Sequence, residues 1–380
     1  VRVLPSPDDE PSHARAGIHA RMLLPLLSGS VSWLAGQQLH VPTQQRRAVS
    51  VDMAEGVKKV FIDGEAGTTG LEVRNRLAKR SDVELITLNE ADRKDAKARA
   101  KAFSVADAAI LCLPDAAAIE AVDLASDSEC VLIDASTAHR INPEWAYGFP
   151  ELNSEQRSKI ASAKRIANPG CYATGFIALT HPLTSAGLLR PDASLVASAI
   201  SGYSGGGKAL MGVFESDEPH EPWGAYGFAL AHKHLPEMQC FSGLTEPPIF
   251  LPAVGDFAQG MVVSVPVHYG RDLADSTVKA GGVGEAVHAA LSKHYASDHF
   301  VTVMPLGEAA WKEAGLLERD AFLRPDALND TNHLQIFVYC NEEKRTCVLS
   351  ARLDNLGKGA SGAAVQNLNI ALGLDETTGL

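Results

Sequence analysis

Between Val57 and Leu77 an apolar run (VKKVFID), a turn punctuated by glycines (GEAGTTG) and a helical segment (LEVRNRL) follow one another without a break. Strand, glycine turn and helix in that order commit the chain to the βα units of a parallel sheet more firmly than any other stretch. The same order suits a dinucleotide pyrophosphate, because glycines let the backbone approach and the helix start offers free N–H groups. The spacing is GxxGxxG rather than GxGxxG, so Gly64, Gly67, Thr68, Thr69 and Gly70 become cofactor-binding candidates through context and not through the motif alone. A plain strand-to-helix turn is the competing reading, and three glycines would cost it needless entropy.

Apolar strands at 83–88, 108–113 and 130–134 extend the pattern, which predicts an α/β arrangement of parallel strands with intervening helices. Parallel strands expose their carboxyl-terminal tips along one crevice, here 64–70, 113–115 and 135–140. Ser136 on the last tip is a cofactor candidate. Arg140 is the best phosphate clamp available, since a guanidinium offers a fixed fork to an oxyanion; a surface ion pair is its alternative. Beyond the second strand, Glu90 and Asp92 would suit the ribose of NAD, whereas Arg93 would accommodate the extra phosphate of NADP and favours that cofactor.

Asn168-Pro169-Gly170-Cys171-Tyr172-Ala173-Thr174-Gly175 precedes the apolar run Phe176–Leu179, so Cys171 falls in the first turn of a helix. Unpaired N–H groups and the helix dipole there favour a thiolate. Lowering a thiol from about 8.5 to about 6.5 takes roughly 2.7 kcal/mol, of which a helix end supplies at most about 2. A basic partner is therefore needed. His232-Lys233-His234 provides one: in an extended segment both imidazoles would share a face. Paired histidines also suit zinc, but no third ligand has fitting spacing, so no metal is expected.

From Cys171 onward the strands look antiparallel. The loop Ser201–Lys208 carries four glycines beside serines and a lysine, and could meet an anion or a developing oxyanion; Ser204 and Lys208 are counted with the substrate. A second glycine-rich loop, 354–362, precedes a helix over 363–372 expected to pack back on the first domain.

A formal net charge of -12 argues against nucleic acid or an anionic membrane as partner. No apolar run reaches the ~18 residues of a membrane-spanning helix. Six cysteines without a CxxC pair indicate neither a disulfide framework nor a thiolate zinc site, and fit a reducing, cytoplasmic setting. Residues 1–56 differ in composition, with scattered arginines and no acidic residue between Glu10 and Asp52. They read as a poorly ordered or extraneous extension, with Met53 opening the protein, or alternatively as an organelle-import segment within 1–52.

Taken together, FIDGEAGTTGLEVRNRL, STAHRINPEWAYGFPEL, NPGCYATG, SGYSGGGK, HKHLPE and DNLGKGASGAAVQNLN, in that order, closely resemble the N-acetyl-gamma-glutamyl-phosphate reductase family in its shorter bacterial form. The resemblance spans residues 57–374; the related aspartate-semialdehyde dehydrogenases differ around the cysteine. It implies a Rossmann domain (57–167 and 355–375) joined to an α+β catalytic and dimerisation domain (168–354), in a homodimer or homotetramer. It implies Cys171 as nucleophile, an acid/base from the HKH motif, taken as His234 with His232 supporting substrate, Arg140 on the acyl phosphate, and Glu237 orienting a histidine. Gly64 to Gly70 would hold NADP, with Asn355 and Gly357 near the nicotinamide. The implied reaction is NADP-dependent reduction of an N-acetyl-gamma-glutamyl phosphate, with another acyl phosphate such as aspartyl phosphate as the alternative.

Overall fold

A computed structural model describes residues 56–380. Nearly all of the expected N-terminal extension, including the Met53 start and the import alternative, lies outside the described residues. Among the described residues no helix is long and apolar enough to cross a membrane.

Six strands, Lys58–Asp63 (β1), Val83–Ile86 (β2), Ala108–Leu111 (β3), Val131–Asp134 (β4), Ala146–Tyr147 (β5) and Arg165–Ala167 (β6), form a parallel sheet in the order β2-β1-β3-β4-β6-β5. Side-chain alternation along β1 feeds both faces. Val60 and Ile62 join a cluster with Val73 and Leu77 of the helix Thr68–Leu77 and with Val365 and Leu368 of the helix Gly362–Ala371. Phe61 points the other way, into a cluster with Phe103 and Leu132. The C-terminal helix thus covers the first sheet. Since β2 and β3 lie on opposite sides of β1, the strand order reverses there and opens a crevice at the carboxyl end of β1.

The second sheet has the order β11-β12-β13-β10-β7-β9-β8, from Val196–Gly202 (β7), Trp223–Ala225 (β8), Ile249–Gly255 (β9), Met261–His268 (β10), Val301–Val303 (β11), Leu334–Asn341 (β12) and Thr346–Leu353 (β13). It is mixed rather than antiparallel, because β7 pairs with β9, and β11 with β12, in parallel. The helices Gly207–Phe214 and Leu235–Ser242 lie in the connection between β7 and β9, which gives the crossover that parallel pairing demands. Against this sheet packs the buried helix Cys171–Ser185; a Cβ on Gly175 would come within 2.8 Å of Val263, so glycine there sets how closely the helix approaches.

One expectation about the cysteines is corrected. Cys340 and Cys347 are register partners across the β12–β13 hairpin and are joined as a disulfide, while Cys112, Cys130, Cys171 and Cys240 are free. Spacing motifs such as CxxC do not report a cross-strand pair, which depends on where the hairpin turns.

Candidate active site

The crevice of the first sheet and the start of the Cys171–Ser185 helix open into one cavity of about 680 Å³. Thr68 and Thr69 line it from the first sheet's side, Cys171, His232 and His234 from the other, and Arg140, Ser204 and Asn355 complete the set of expected residues found there. Lys233 and Tyr226 also line it.

Gly170 caps the helix, and its lack of a side chain has a spatial cause. A Cβ there would fall 2.5 Å from Arg140 Nη1, 2.5 Å from His234 Nε2 and 2.6 Å from Glu237 Oε1. Three polar side chains therefore converge on the residue before Cys171. Arg140 Nη1 donates to Glu237 Oε1 at 2.6 Å, its Nε to the Asn168 carbonyl at 3.1 Å and its Nη2 to the Ala135 carbonyl at 3.2 Å. The remaining N–H groups on Nη1 and Nη2 are left for an anion. The other Glu237 oxygen accepts from Tyr147 Oη at 2.9 Å and from the Gly170 N–H at 3.1 Å. Glu237 thus holds an arginine and the helix cap rather than orienting a histidine, which corrects the expectation.

His232 and His234 do share the cavity, but not through strand alternation. His234 is the N-cap of the helix Leu235–Ser242, which has a proline in its first turn, and Lys233 lies in the turn between the two imidazoles. The His234 N–H donates to His232 Nδ1 at 3.2 Å, so a neutral His232 carries its proton on Nε2. His234 Nδ1 is buried with no partner. Burial, then the charges of Arg140, His232 and Lys233, hold the His234 imidazolium well below the usual histidine range, so the ring is neutral at pH 7. Burial, Lys233 and Arg140 depress His232 too.

The Cys171 thiol moves against expectation. Burial pushes it above its ordinary value, and Glu237 adds to the rise; Arg140, the Tyr172 N–H and Lys233 pull down without prevailing. Desolvation by burial outweighs the helix start, and the motif does not display it. Free Cys171 at neutral pH is a thiol that shares its cavity with a neutral imidazole. Its alkylation by iodoacetamide should therefore keep rising with pH beyond the ordinary thiol range of about 8.5. A rate that levels off near pH 7 would contradict this arrangement.

Several other expected residues stand elsewhere. Ser136 Oγ donates to Asp134 Oδ2 at 2.7 Å and its N–H to Oδ1 at 2.8 Å, so it ties the β4 tip instead of lining the cavity. Lys208 is exposed and outside the lining, and Gly357 packs against the Thr331 carbonyl. Ser204 Oγ accepts from Asn355 Nδ2 at 3.0 Å, while Asn355 Oδ1 accepts from the Gly260 N–H at 2.7 Å. Gly359 was not singled out, yet a Cβ there would lie 2.7 Å from Cys171 Cβ.

The glycine turn fits a dinucleotide phosphate. Gly64 has φ +89° and a Cβ would strike the Cys112 carbonyl at 2.4 Å, whereas Gly67 has no neighbour closer than 3.5 Å to a built Cβ and leaves an open cradle. The helix that starts at Thr68 has no acidic side chain in its first turn to occupy the free N–H groups. Beside the turn, Glu65 accepts from Arg93 Nη2 at 2.6 Å and lies 3.7 Å from Arg74. Among the described residues no group of three or more His, Cys, Asp or Glu is placed to hold a metal.

Comparison with known proteins identifies the two domains and their relatives. Residues 59–160 match the semialdehyde dehydrogenase NAD binding domain, and residues 171–355 the semialdehyde dehydrogenase dimerisation domain. The chain is 49% identical over 329 residues to the N-acetyl-gamma-glutamyl-phosphate reductase of Trichormus variabilis, covering 85% of this chain and 99% of that one. It is 49% identical over 316 residues to the enzyme of the same name from Burkholderia lata, covering 83% and 96%. Among solved structures, aspartate semialdehyde dehydrogenase II of Vibrio cholerae superposes with a TM-score of 0.59 at 14% identity, over 82% of this chain and 97% of that one. The Candida albicans aspartate semialdehyde dehydrogenase with NADP gives 0.56 at 14% identity, over 83% and 98%. These last two share the fold.

Proposed function

Because the chain belongs to the N-acetyl-gamma-glutamyl-phosphate reductase family, we propose that it reduces N-acetyl-gamma-glutamyl phosphate to N-acetylglutamate 5-semialdehyde, a step of arginine biosynthesis, through a thioester on Cys171. The observation that carries this reading is the single cavity that gathers a thiol, a neutral imidazole, a guanidinium and the threonines of a dinucleotide-binding turn.

His234, neutral in the free protein and lining the same cavity, takes the Cys171 proton as the sulfur approaches the acyl carbonyl. The sulfur bonds to the carbonyl carbon, the carbon–oxygen bond to phosphate breaks, and phosphate leaves as its charge is met by Arg140 and Lys233. Backbone N–H groups at the start of the Cys171–Ser185 helix face the developing oxyanion. NADP is the cofactor of this proposal, held by Gly64, Gly67, Thr68, Thr69 and Gly70, and when bound in its reduced form it supplies the hydride. Once the acyl carbon is reduced, the carbon–sulfur bond breaks and His234 returns its proton to the sulfur. His232, with its proton on Nε2, donates a hydrogen bond to substrate. Residues 57–167 with 355–375 form the cofactor domain in this reading, and 168–354 the catalytic domain of a cytoplasmic homodimer or homotetramer.

The test runs the reaction backward. Semialdehyde, phosphate and NADP should yield NADPH, and the N-acetylglutamyl substrate should exceed its aspartyl counterpart in kcat/KM; faster turnover of the aspartyl compound would move the chain to a different substrate. Arg93→Ala should raise KM for NADP about tenfold and change KM for NAD far less, since Arg93, which pairs with Glu65 beside the glycine turn, is the cation placed to meet the additional phosphate. Equal effects on both dinucleotides would remove Arg93 from cofactor choice.

A further inference from the structure

Behind the nucleophile, residues Gly357–Ser361 form a π-helical turn before the helix Gly362–Ala371. Its wide register is held by the Gly359 N–H donating to the Asp354 carbonyl at 2.9 Å and the Ser361 N–H to the Leu356 carbonyl at 2.8 Å. Such turns are rare, and they place residues where an α-helix would not. Here Asn355 and Leu356 line the cavity, Gly359 backs onto Cys171, and the Ala360 carbonyl accepts from Asn168 Nδ2 at 3.0 Å. Lys358, inside the turn, is 1% exposed. Its Nζ donates to Glu151 Oε1 at 2.8 Å and to Gln366 Oε1 at 2.7 Å, and lies over the rings of Phe149 at 5.5 Å and Phe300 at 5.6 Å. Glu151 is itself fully buried, and its second oxygen has no partner.

A buried ion pair is often no more stabilising than an apolar pair of the same volume, so this one calls for a role in geometry. Neither Lys358 nor Glu151 lines the cavity. What the pair fixes is the backbone on either side of Lys358, and the next residue is the one in contact with Cys171. We propose that Lys358 and Glu151 are positioning residues, which pin the π-helical turn so that Gly359 holds Cys171 and Asn355 faces the cavity in the geometry of reaction. Without the pin the turn can tighten into α register with the helix that follows, which shifts both. The proposal rests on Cys171 as the nucleophile.

The test uses the full chain carrying K358M together with E151Q, which removes both charges and strands neither. With the melting temperature near that of wild type, kcat should fall by at least about tenfold while KM for the acyl phosphate stays within about twofold, and alkylation of Cys171 should slow in step. A folded double variant with wild-type kcat and alkylation overturns the proposal. Should the double variant fail to fold, E151D decides: it keeps both charges and draws the tether back by one carbon. A drop in kcat at unchanged melting temperature supports the pin, and wild-type kcat refutes it. Failure of the Cys171 assignment itself would be seen in the wild-type protein, as activity that survives complete alkylation.

Discussion

Replacing Cys171 with serine should reduce kcat by roughly 10⁴-fold or more, with KM for the acyl phosphate little altered. Arg140, which meets the phosphate in this proposal, is held by the Asn168 carbonyl and Glu237 and does not depend on the sulfur. The chemistry does. Burial already raises the thiol at this site, and a hydroxyl starts several units higher, so a neutral His234 activates it far less readily. Steady-state rates of the purified variant, with alkylation of the wild type as control, measure this directly. Activity within about tenfold of wild type would show that acyl transfer to the enzyme is not on the path.

The second large effect is on stability. Glu237→Ala should lower the free energy of unfolding by about 3–5 kcal/mol, because it leaves the buried Arg140 guanidinium without its counter-charge. Glu237 is 1% exposed and Arg140 8%, so solvent does little to compensate. The same carboxylate also accepts from Tyr147 Oη and the Gly170 N–H, and both would lose a partner. Glu237→Gln should cost less, since it keeps an acceptor oxygen. Denaturant midpoints of the two variants test the order, and an alanine variant as stable as wild type would mean that the pair is solvated.

The sequence disclosed most where local chemistry and structure coincide. The glycine turn after β1 was legible because strand, turn and helix are adjacent in the chain, and the family followed from six motifs in order. A period of two along HKH points Lys233 away from the face shared by the two imidazoles, whereas the structure brings it to the cavity. Pro236, a helix-start residue, could have warned that the segment turns into a helix at His234, bringing the middle residue to the cavity too. The pairing of Arg140 with Glu237, 97 residues apart, has no local signature. Nor has the contact of Gly359 with Cys171, made by a loop nearly two hundred residues downstream. The direction of the Cys171 shift was missed for a related reason: a helix start is visible in sequence, whereas desolvation by distant elements is not.

Acylation of Cys171 is the claim on which the mechanism turns, and it can be isolated by withholding the reductant. Wild-type enzyme given N-acetyl-gamma-glutamyl phosphate and no NADPH should release phosphate in a burst matching the active sites, and mass spectrometry of a rapid acid quench should find the N-acetylglutamyl group on the peptide that contains Cys171. Phosphate released only when NADPH is present, with Cys171 unmodified throughout, would contradict the account.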